Sequence, residues 1–283
     1  MLQDLATGRL DNQFRNISAK DEDIILCYHQ GKVLLCRGED DTVTLPNLAQ
    51  MRRWAAPAEP RYVFRMQEKN YFLWTGEAPA EPDSGFAFEA VRQFRELKSR
   101  EICYAFLTGW HLYNWYRVNR FCGCCGTPTV HDDKERMLRC PSCGNMIFPR
   151  INPAVIVAVT NGDKLLFSKY AGRDFTRYAL LAGFTEIGET IEQSAAREVM
   201  EEVGLKIRNL RYYKSQPWGV DGNVLMGFFC DVDGSDVIHI DETELAMANW
   251  YPRDALPAQD DGISLTREMI RIFGEGNEPK YGR

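Results

Sequence analysis

Twenty-three residues in the second half of the chain, Gly183-Phe-Thr-Glu-Ile-Gly-Glu-Thr-Ile-Glu-Gln-Ser-Ala-Ala-Arg-Glu-Val-Met-Glu-Glu-Val-Gly-Leu205, narrow what it can fold into more than any other stretch. Read as G-x5-E-x7-R-E-U-x-E-E-x-G-U, with U aliphatic, the run has Gly183, Glu189, Arg197, Glu198, Glu201, Glu202 and Gly204 at fixed positions and Val199 and Leu205 at aliphatic ones. Thr190 followed by Gln193 is a capping-box signature, so a helix starts there. Gly204 stands where a helix end wants a left-handed residue. Between them Ala196, Val199, Met200 and Val203 recur at i, i+3, i+4, i+7 and predict one buried face. Glu198, Glu201 and Glu202 predict a second face made of carboxylates. Three adjacent carboxylates repel one another unless a cation sits among them, and oxygen ligands suit a hard divalent ion, Mg2+ or Mn2+. A merely solvated acidic face would not need the glycine loop, Gly183 to Gly188, that runs straight into the helix.

The chain has 283 residues, room for two domains or one domain plus a small module. Its formal charge of -6 argues against broad electrostatic binding of nucleic acid. No apolar run approaches the ~20 residues that span a bilayer, and no basic-then-apolar start resembles a signal sequence. A soluble, cytoplasmic protein with no membrane association is expected.

The nine cysteines are an odd number, and five crowd between Cys122 and Cys143, which does not describe a disulfide framework. Cys122-Gly-Cys-Cys125 and Cys140-Pro-Ser-Cys143 give C-x2-C-x14-C-x2-C, the spacing of two zinc knuckles. Gly126 and Gly144 follow the pairs and can take the positive φ of a tight thiolate-bearing turn. Cys124 lies inside the first knuckle, but Cys122 with Cys125 mirrors Cys140 with Cys143. Four thiolates leave no open position, so this Zn2+ is expected to be structural. Cys27, Cys36, Cys103 and Cys230 sit in apolar contexts and are expected in cores.

Residues 1 to about 85 read as β-rich. Ile24–Tyr28 and Val33–Cys36 flank a hairpin signal at His29 to Lys32, and Arg61–Met66 and Tyr71–Trp74 flank a second at Gln67 to Asn70. From about Phe88 to Asn119 the pattern predicts helix, with Ile102, Phe106, Trp110 and Trp115 buried. Beyond the cysteines, Pro153–Val159 and Lys164–Ser168 predict strands joined at Asn161-Gly162, with further strands near Leu210–Lys214 and Val224–Cys230 and a last helix over 263–273. The resulting expectation is an α+β protein with three parts: a β-rich N-terminal domain ending in helix (1–118), a zinc ribbon (119–150), and a C-terminal α/β/α sandwich (151–283).

The 183–205 run matches the Nudix box, the metal-binding signature of enzymes that cleave nucleoside diphosphates linked to another group. With the preceding four-cysteine module and β-rich domain, the chain resembles the bacterial NADH pyrophosphatase family, which also removes NAD caps from RNA. The resemblance extends to Ser215-Gln-Pro-Trp218 and to Ala248-Asn-Trp-Tyr251, with Glu244 just before the latter. It covers residues 90–270; the first 85 match mainly in placement. The family usually continues Ser-Gln-Pro-Trp with Pro-Phe-Pro-x-Ser. Here Gly219-Val-Asp-Gly-Asn223 follows, with an added residue and without that aromatic and those prolines. Two glycines are expected to loosen this loop, and Asp221 to add negative charge near a polyphosphate.

The resemblance implies hydrolysis of the NAD(H) pyrophosphate to nicotinamide mononucleotide and AMP, with NAD-capped RNA as a related substrate and a homodimer as the working form. It implies Glu198, Glu202, Glu244 and the Ala182 carbonyl as ligands of Mg2+ or Mn2+. Glu201 would assist as ligand or base, which of these three box carboxylates takes the proton being left open by spacing. Arg197 is expected to pair with a box carboxylate, Glu189 among them, rather than to touch substrate. Phe184 and Phe148 fall where the family places aromatic rings against substrate, Gln216, Pro217 and Trp218 fall in its specificity array, and Arg92, Glu135 and Thr266 match further contacts. Ordinary core packing is the competing account of each aromatic. Two other functions stay open: a Nudix pyrophosphatase for another dinucleotide such as FAD or for ADP-ribose, and an RNA-binding or regulatory zinc-ribbon protein.

Overall fold

The computed structural model describes all residues except 6–8, 84, 173–176, 258–261 and 281–283. The chain divides into two compact units. One comprises Met1, Ile151–Trp218 and Asn223–Arg283; the other comprises Leu2–Arg150 together with Gly219–Gly222.

In the first unit, strand Asn152–Asn161 is the axis of a six-stranded sheet. It runs parallel to Asn223–Val232, which pairs antiparallel with Ile207–Trp218. Its other edge is shared. Strand Lys164–Tyr170 turns back on its end, and strand Leu181–Phe184 pairs with its beginning, Ala154 opposite Phe184 and Ile156 opposite Ala182. Leu245–Pro252 closes the sheet against Lys164–Tyr170. Successive side chains of a strand point to opposite faces. Val155, Val157 and Val159 therefore join Ala195, Val199 and Val203 of a helix at Ile191–Val203. Ile156 and Ala158 join Leu265, Met269, Ile270 and Phe273 of a helix at Leu265–Gly274. One sheet between two helices is the expected α/β/α sandwich.

The second unit is rich in short strands. One four-stranded sheet is ordered Leu10–Asp11, Arg61–Met66, Lys69–Leu73, Ile24–Leu26. In the other, Lys32–Arg37 pairs with Tyr28–His29, Val43–Thr44 and Phe86–Ala90. The helix at Leu48–Trp54 carries a capping box from Asn47 and Gln50, and its Leu48 and Met51 pack with Ile25, Leu34, Phe72 and Trp74. A longer helix, Arg100–Val118, leads into three two-residue strands at 130–131, 138–139 and 146–147.

Three expectations about local structure need correction. The helical reading from Phe88 begins too early: Phe86–Ala90 is a strand, Val91–Glu96 a 3-10 turn, and the helix starts at Arg100. Phe88 pairs with Leu34, a partner more than fifty residues away that local periodicity does not reveal. The first hairpin is real at Gln30-Gly31, both at positive φ, but its leading strand splits near Cys27 and Ile24–Leu26 joins the other sheet. The second hairpin turns at Gln67-Glu68, also both at positive φ, two residues tighter than expected. Of the residues expected buried in the long helix, Phe106 and Trp115 are buried, while Ile102 and Trp110 are half-buried.

Candidate active site

Strand Leu181–Phe184 ends where the helix Ile191–Val203 begins its approach, and the loop between them turns at Gly188, φ 95°. The Thr190 hydroxyl accepts from the Gln193 amide, and the Thr190 amide in turn donates to the Gln193 side-chain oxygen. Gly204 closes the helix at φ 70°, its amide bonded to the Met200 carbonyl. The helix ends are thus as the sequence reads.

Its faces are not. Ala196 and Met200 are exposed, Met200 at 41%, and the buried stripe is Ala195, Glu198, Val199, Glu202 and Val203. The apolar face and the carboxylate face overlap, because Glu198 and Glu202 turn inward with the aliphatic residues. Their burial is extreme for carboxylates, 9% and 2% exposed. Glu201 remains outside, its side chain 59% exposed. A Cβ built on Gly183 would lie 1.9 Å from the Glu198 carboxyl carbon, so only a glycine leaves that carboxylate its place.

Arg197 ties the loop to the helix. Its Nε and Nη2 donate to the two Glu189 oxygens at 2.6 and 3.0 Å, Nη2 also donates to the Phe184 carbonyl at 2.9 Å, and Nη1 donates to Glu198 at 2.8 Å and Glu201 at 2.9 Å. The pairing with Glu189 is the one expected from sequence. These bonds, with one from the Glu186 amide, hold the Glu189 carboxyl below the usual range. Glu198 moves the other way. Burial pushes its pKa up, Arg197 opposes, and the charges of Glu201 and Glu244 add to the rise. Glu244 is exposed and accepts from the Ala171 amide through its carbonyl. The Tyr170 hydroxyl donates to the Ala182 carbonyl at 3.4 Å, a neighbour no sequence signal announced.

Carboxylates at Glu198 and Glu202, a carbonyl at Ala182 and a further carboxylate at Glu244 offer an all-oxygen donor set, and burial makes Glu198 resist ionising by itself. This fits a hard divalent cation. Among the described residues, though, the four cysteines are the one group whose ligand atoms already converge as a metal cage would.

The four Sγ atoms of Cys122, Cys125, Cys140 and Cys143 lie within 4.8 Å of one another. The two knuckles are built alike. Cys122 accepts from Gly126 and donates to Thr127, Cys140 accepts from Gly144 and donates to Asn145, and the two glycines sit at φ 73° and 75°. Cys124 points out of the group and is exposed, while its amide donates to Cys122 Sγ at 3.4 Å. That bond leads in drawing the Cys122 thiol down to about 6. A bond at Asn145 lowers Cys143, but hydrogen bonds with Cys140, Cys125 and Cys122 outweigh it and push Cys143 up to about 12. Such thiols do not all ionise together without a cation, and four sulfurs with no open position fit Zn2+.

The remaining sequence candidates are placed as follows. Phe184 is 54% exposed beside the carboxylate helix, and Phe148 is 52% exposed just after the last ribbon strand, so neither is core. Gln216 is fully buried: its Nε2 donates to the Ile263 carbonyl at 2.9 Å and its Oε1 accepts from the Leu265 amide at 2.7 Å. Its amide braces the start of the last helix, where Thr266 lies half-buried. Pro217 is exposed and Trp218 half-buried at the end of their strand. Arg92, Glu135 and Phe148 belong to the other unit. Glu135 is exposed, and Arg92 pairs with Asp221 at 2.9 Å.

That pair corrects the expectation for the altered stretch after Trp218. Asp221 faces a guanidinium, and the two glycines are demanded rather than loosening. A Cβ on Gly219 would lie 2.3 Å from the Leu107 carbonyl oxygen, and Gly222 holds φ 75° beside His111.

Comparison with known proteins bears on the same two segments. Residues 150–272 match the family model of the NUDIX domain, and residues 117–148 that of the NADH pyrophosphatase zinc ribbon domain. The chain carries a Nudix domain. It is 40% identical over 162 residues to a protein from Salmonella schwarzengrund described as NAD-capped RNA hydrolase NudC, covering 57% of this chain and 63% of that one. A Pseudomonas aeruginosa protein with the same description is 40% identical over 159 residues, covering 56% and 57%. The match thus spans under two thirds of these relatives' length. A solved Nudix hydrolase from Nitrosomonas europaea is 22% identical, with a TM-score of 0.49 over 57% of this chain and 96% of that one. No helix among the described residues is long and apolar enough to cross a membrane.

Proposed function

We propose that this chain is a metal-dependent pyrophosphatase of NAD(H), cleaving the dinucleotide to nicotinamide mononucleotide and AMP, and that it acts likewise on NAD-capped RNA. The observation that carries the reading is the burial of Glu202 and of Glu198, the latter against Gly183, on a Nudix helix that follows a zinc ribbon of the NADH pyrophosphatase type. The relatives described as NAD-capped RNA hydrolases support the substrate class.

In this reading Glu198, Glu202, Glu244 and the Ala182 carbonyl hold Mg2+ or Mn2+. When bound, the ion would offset pyrophosphate charge and lower the pKa of a water, so that it gives up its proton more readily. Arg197 fixes the carboxylate helix to the loop, so that Glu198 keeps its orientation beside the substrate's phosphates. Glu201, the exposed member, is free to turn from Arg197 and take the proton of the attacking water. Oxygen of that water bonds to one phosphorus, the bridging P–O bond breaks, and the second phosphate leaves as the other mononucleotide. Phe184, exposed at the loop, offers its ring face to a base or nicotinamide. Zn2+ on Cys122, Cys125, Cys140 and Cys143 shapes the ribbon and takes no part in the chemistry.

None of the nine cysteines is paired in a disulfide, which suits a reducing cytoplasm. A homodimer is part of the proposal, and light scattering on the eluting protein tests it. The test of function is product analysis with NADH, NAD, ADP-ribose, FAD and NAD-capped RNA, each with Mg2+ and with Mn2+. Mononucleotide pairs from NAD(H) are the expected outcome, and an intact dinucleotide under every condition sinks the reading. One observation favours a second reading, a Nudix pyrophosphatase for another dinucleotide or ADP-ribose: the Gly219–Gly222 stretch is built into the other unit, Asp221 taking up Arg92. Cleavage of ADP-ribose or FAD well ahead of NADH selects it.

A further inference from the structure

The end of strand Lys164–Tyr170 touches the backbone of two residues of the oxygen donor set. The Tyr170 hydroxyl donates to the Ala182 carbonyl at 3.4 Å. The amide of the next residue, Ala171, donates to the backbone carbonyl of Glu244 at 2.8 Å. Ala182 and Glu244 belong to distant stretches of the chain, so the fold, and not local sequence, brings both to Tyr170.

The sheet shows how. Lys164–Tyr170 and Leu181–Phe184 both run antiparallel to Asn152–Asn161, the second taking over its edge from the first. Ser168 and Ala179 exchange backbone hydrogen bonds of 2.9 Å, which join the two segments just before Tyr170. On the other side the pairing with Leu245–Pro252 slips. Lys169 lies opposite Met247 and Tyr170 opposite Leu245, so Ala246 is left over. An extra residue of this kind bends a strand and re-aims side chains near it. Glu244 directly precedes the slip, and its own amide donates to the Asp241 carbonyl at 3.1 Å. Its backbone is therefore held at both ends. The Tyr170 ring packs against the apolar cluster that contains Leu181, Val199 and Leu245, so a fixed ring carries the hydroxyl to Ala182.

We propose that Tyr170 is a positioning residue of the divalent-metal site, its hydroxyl holding the Ala182 carbonyl in place relative to Glu244. The inference rests on the reading that Ala182 and Glu244 hold Mg2+ or Mn2+ together with Glu198 and Glu202. A carbonyl oxygen has two lone pairs. One accepts from Tyr170, and the other is left for a cation. Without the hydroxyl the Ala182 peptide plane has more freedom to turn, and a cation must then fix it on binding. Groups that hydrogen-bond to metal ligands are typically worth roughly 10–100-fold in affinity or activity. At 3.4 Å this bond is longer than the usual O–H···O bond, so the effect belongs at or below the bottom of that range.

The experiment measures Mn2+ binding to the intact, zinc-loaded chain, with free Mn2+ read by electron paramagnetic resonance, in wild type, Tyr170→Phe and Glu202→Gln. Tyr170→Phe keeps the ring in its cluster and removes only the hydroxyl. Wild type should bind Mn2+ at a site that Glu202→Gln abolishes. Tyr170→Phe should bind there about three- to ten-fold more weakly, with melting temperature and zinc content as in wild type. In NADH cleavage the same variant should need correspondingly more Mn2+ to reach half its maximal rate. Its deficit should shrink as Mn2+ is raised, which a general loosening of the fold would not produce. If Glu202→Gln abolishes the site while Tyr170→Phe binds as tightly as wild type or more tightly, the inference is overturned and the metal-dependent reading stands. If wild type has no Mn2+ site that depends on Glu202, both fall. A melting temperature lowered by several degrees alongside weaker binding would make Tyr170 a packing residue only, and it too overturns the inference.

Discussion

Gly183 and the Glu198 carboxylate occupy the same corner of the molecule, the carboxyl oxygens lying 2.1 Å from where a Cβ on residue 183 would stand. A fixed glycine in the sequence pattern thereby acquires a spatial meaning: the strand must pass a carboxylate that is turned inward from the helix. Gly183→Ala should drive Glu198 out of place. Turnover is expected to fall at least ~100-fold, since under the proposed function Glu198 holds the metal that would supply several kcal/mol of the acceleration. Circular dichroism should show the fold retained. Unimpaired turnover in Gly183→Ala would mean that Glu198 has no fixed role.

Glu202 is the more deeply buried of the two inward carboxylates. Glu202→Gln keeps the shape and removes the charge. A loss of at least ~100-fold in kcat is expected with stability unchanged or slightly higher, because one repelling charge leaves the cluster. Retention of more than a tenth of wild-type activity would remove Glu202 from the site.

The ribbon should hold about one zinc per chain, as the four converging sulfurs require. Metal analysis of freshly reduced protein checks this, and substoichiometric zinc contradicts it. Cys140→Ser should lower the melting temperature far more than it alters turnover at low temperature. Cys124→Ser, outside the cage, should change neither.

How much of this was legible beforehand follows from the range of the interactions. Thr190, Gln193 and Gly204 were readable because helix caps are contacts within three or four residues. The cysteine pairs were readable because each knuckle is a local turn. The buried face of the 191–203 helix was misread because an apolar period prefers Ala196 and Met200, whereas the sheet and Gly183 select Glu198 and Glu202. Strand 86–90 was hidden for the same reason: its pairing with 32–36 is a tertiary fact. Gln216 read as a specificity residue, yet its amide bonds to Ile263 and Leu265, and nothing in the motif points to a helix forty-odd residues on.

Asp231 offers a pH-dependent prediction. Burial works to raise its pKa, but hydrogen bonds from Arg211, Asn209 and Thr160, with the charge of Arg211, win and hold it below the usual carboxylate range. A carboxyl whose folded pKa lies below its unfolded one stabilises the fold above the unfolded value, and that contribution disappears as pH falls through the folded value. Asp231→Asn should therefore cost about 1 kcal/mol at pH 7, the lower part of the range because Asp231 is partly open to solvent. The gap between the two proteins should begin to narrow below about pH 4 and go on narrowing as pH falls through the lower folded pKa. Urea unfolding at pH 7 and pH 3.5 measures it, and an equal gap at both pH values would assign the cost to something other than the charge.

The turn at Gly219–Gly222 gives the last prediction, because two devices fasten it and they differ in worth. Arg92 and Asp221 are an exposed pair, side chains 76% and 43% accessible, and such pairs contribute about 0–1 kcal/mol. Gly219 passes the backbone carbonyl of Leu107 so closely that a methyl would lie 2.3 Å from it, and backbone cannot swing aside as a flexible side chain can. Overpacking of this kind costs about 1–3 kcal/mol. Gly219→Ala should therefore lower the melting temperature by several degrees, and Asp221→Asn by little. Grafting Pro-Phe-Pro-Gln-Ser over residues 219–223 places a proline at the tightest point and should destabilise at least as much as Gly219→Ala. Calorimetry on the three variants ranks the devices. A Gly219→Ala protein as stable as wild type, beside a clearly weakened Asp221→Asn, would make the ion pair rather than the close backbone approach the fastening of this turn.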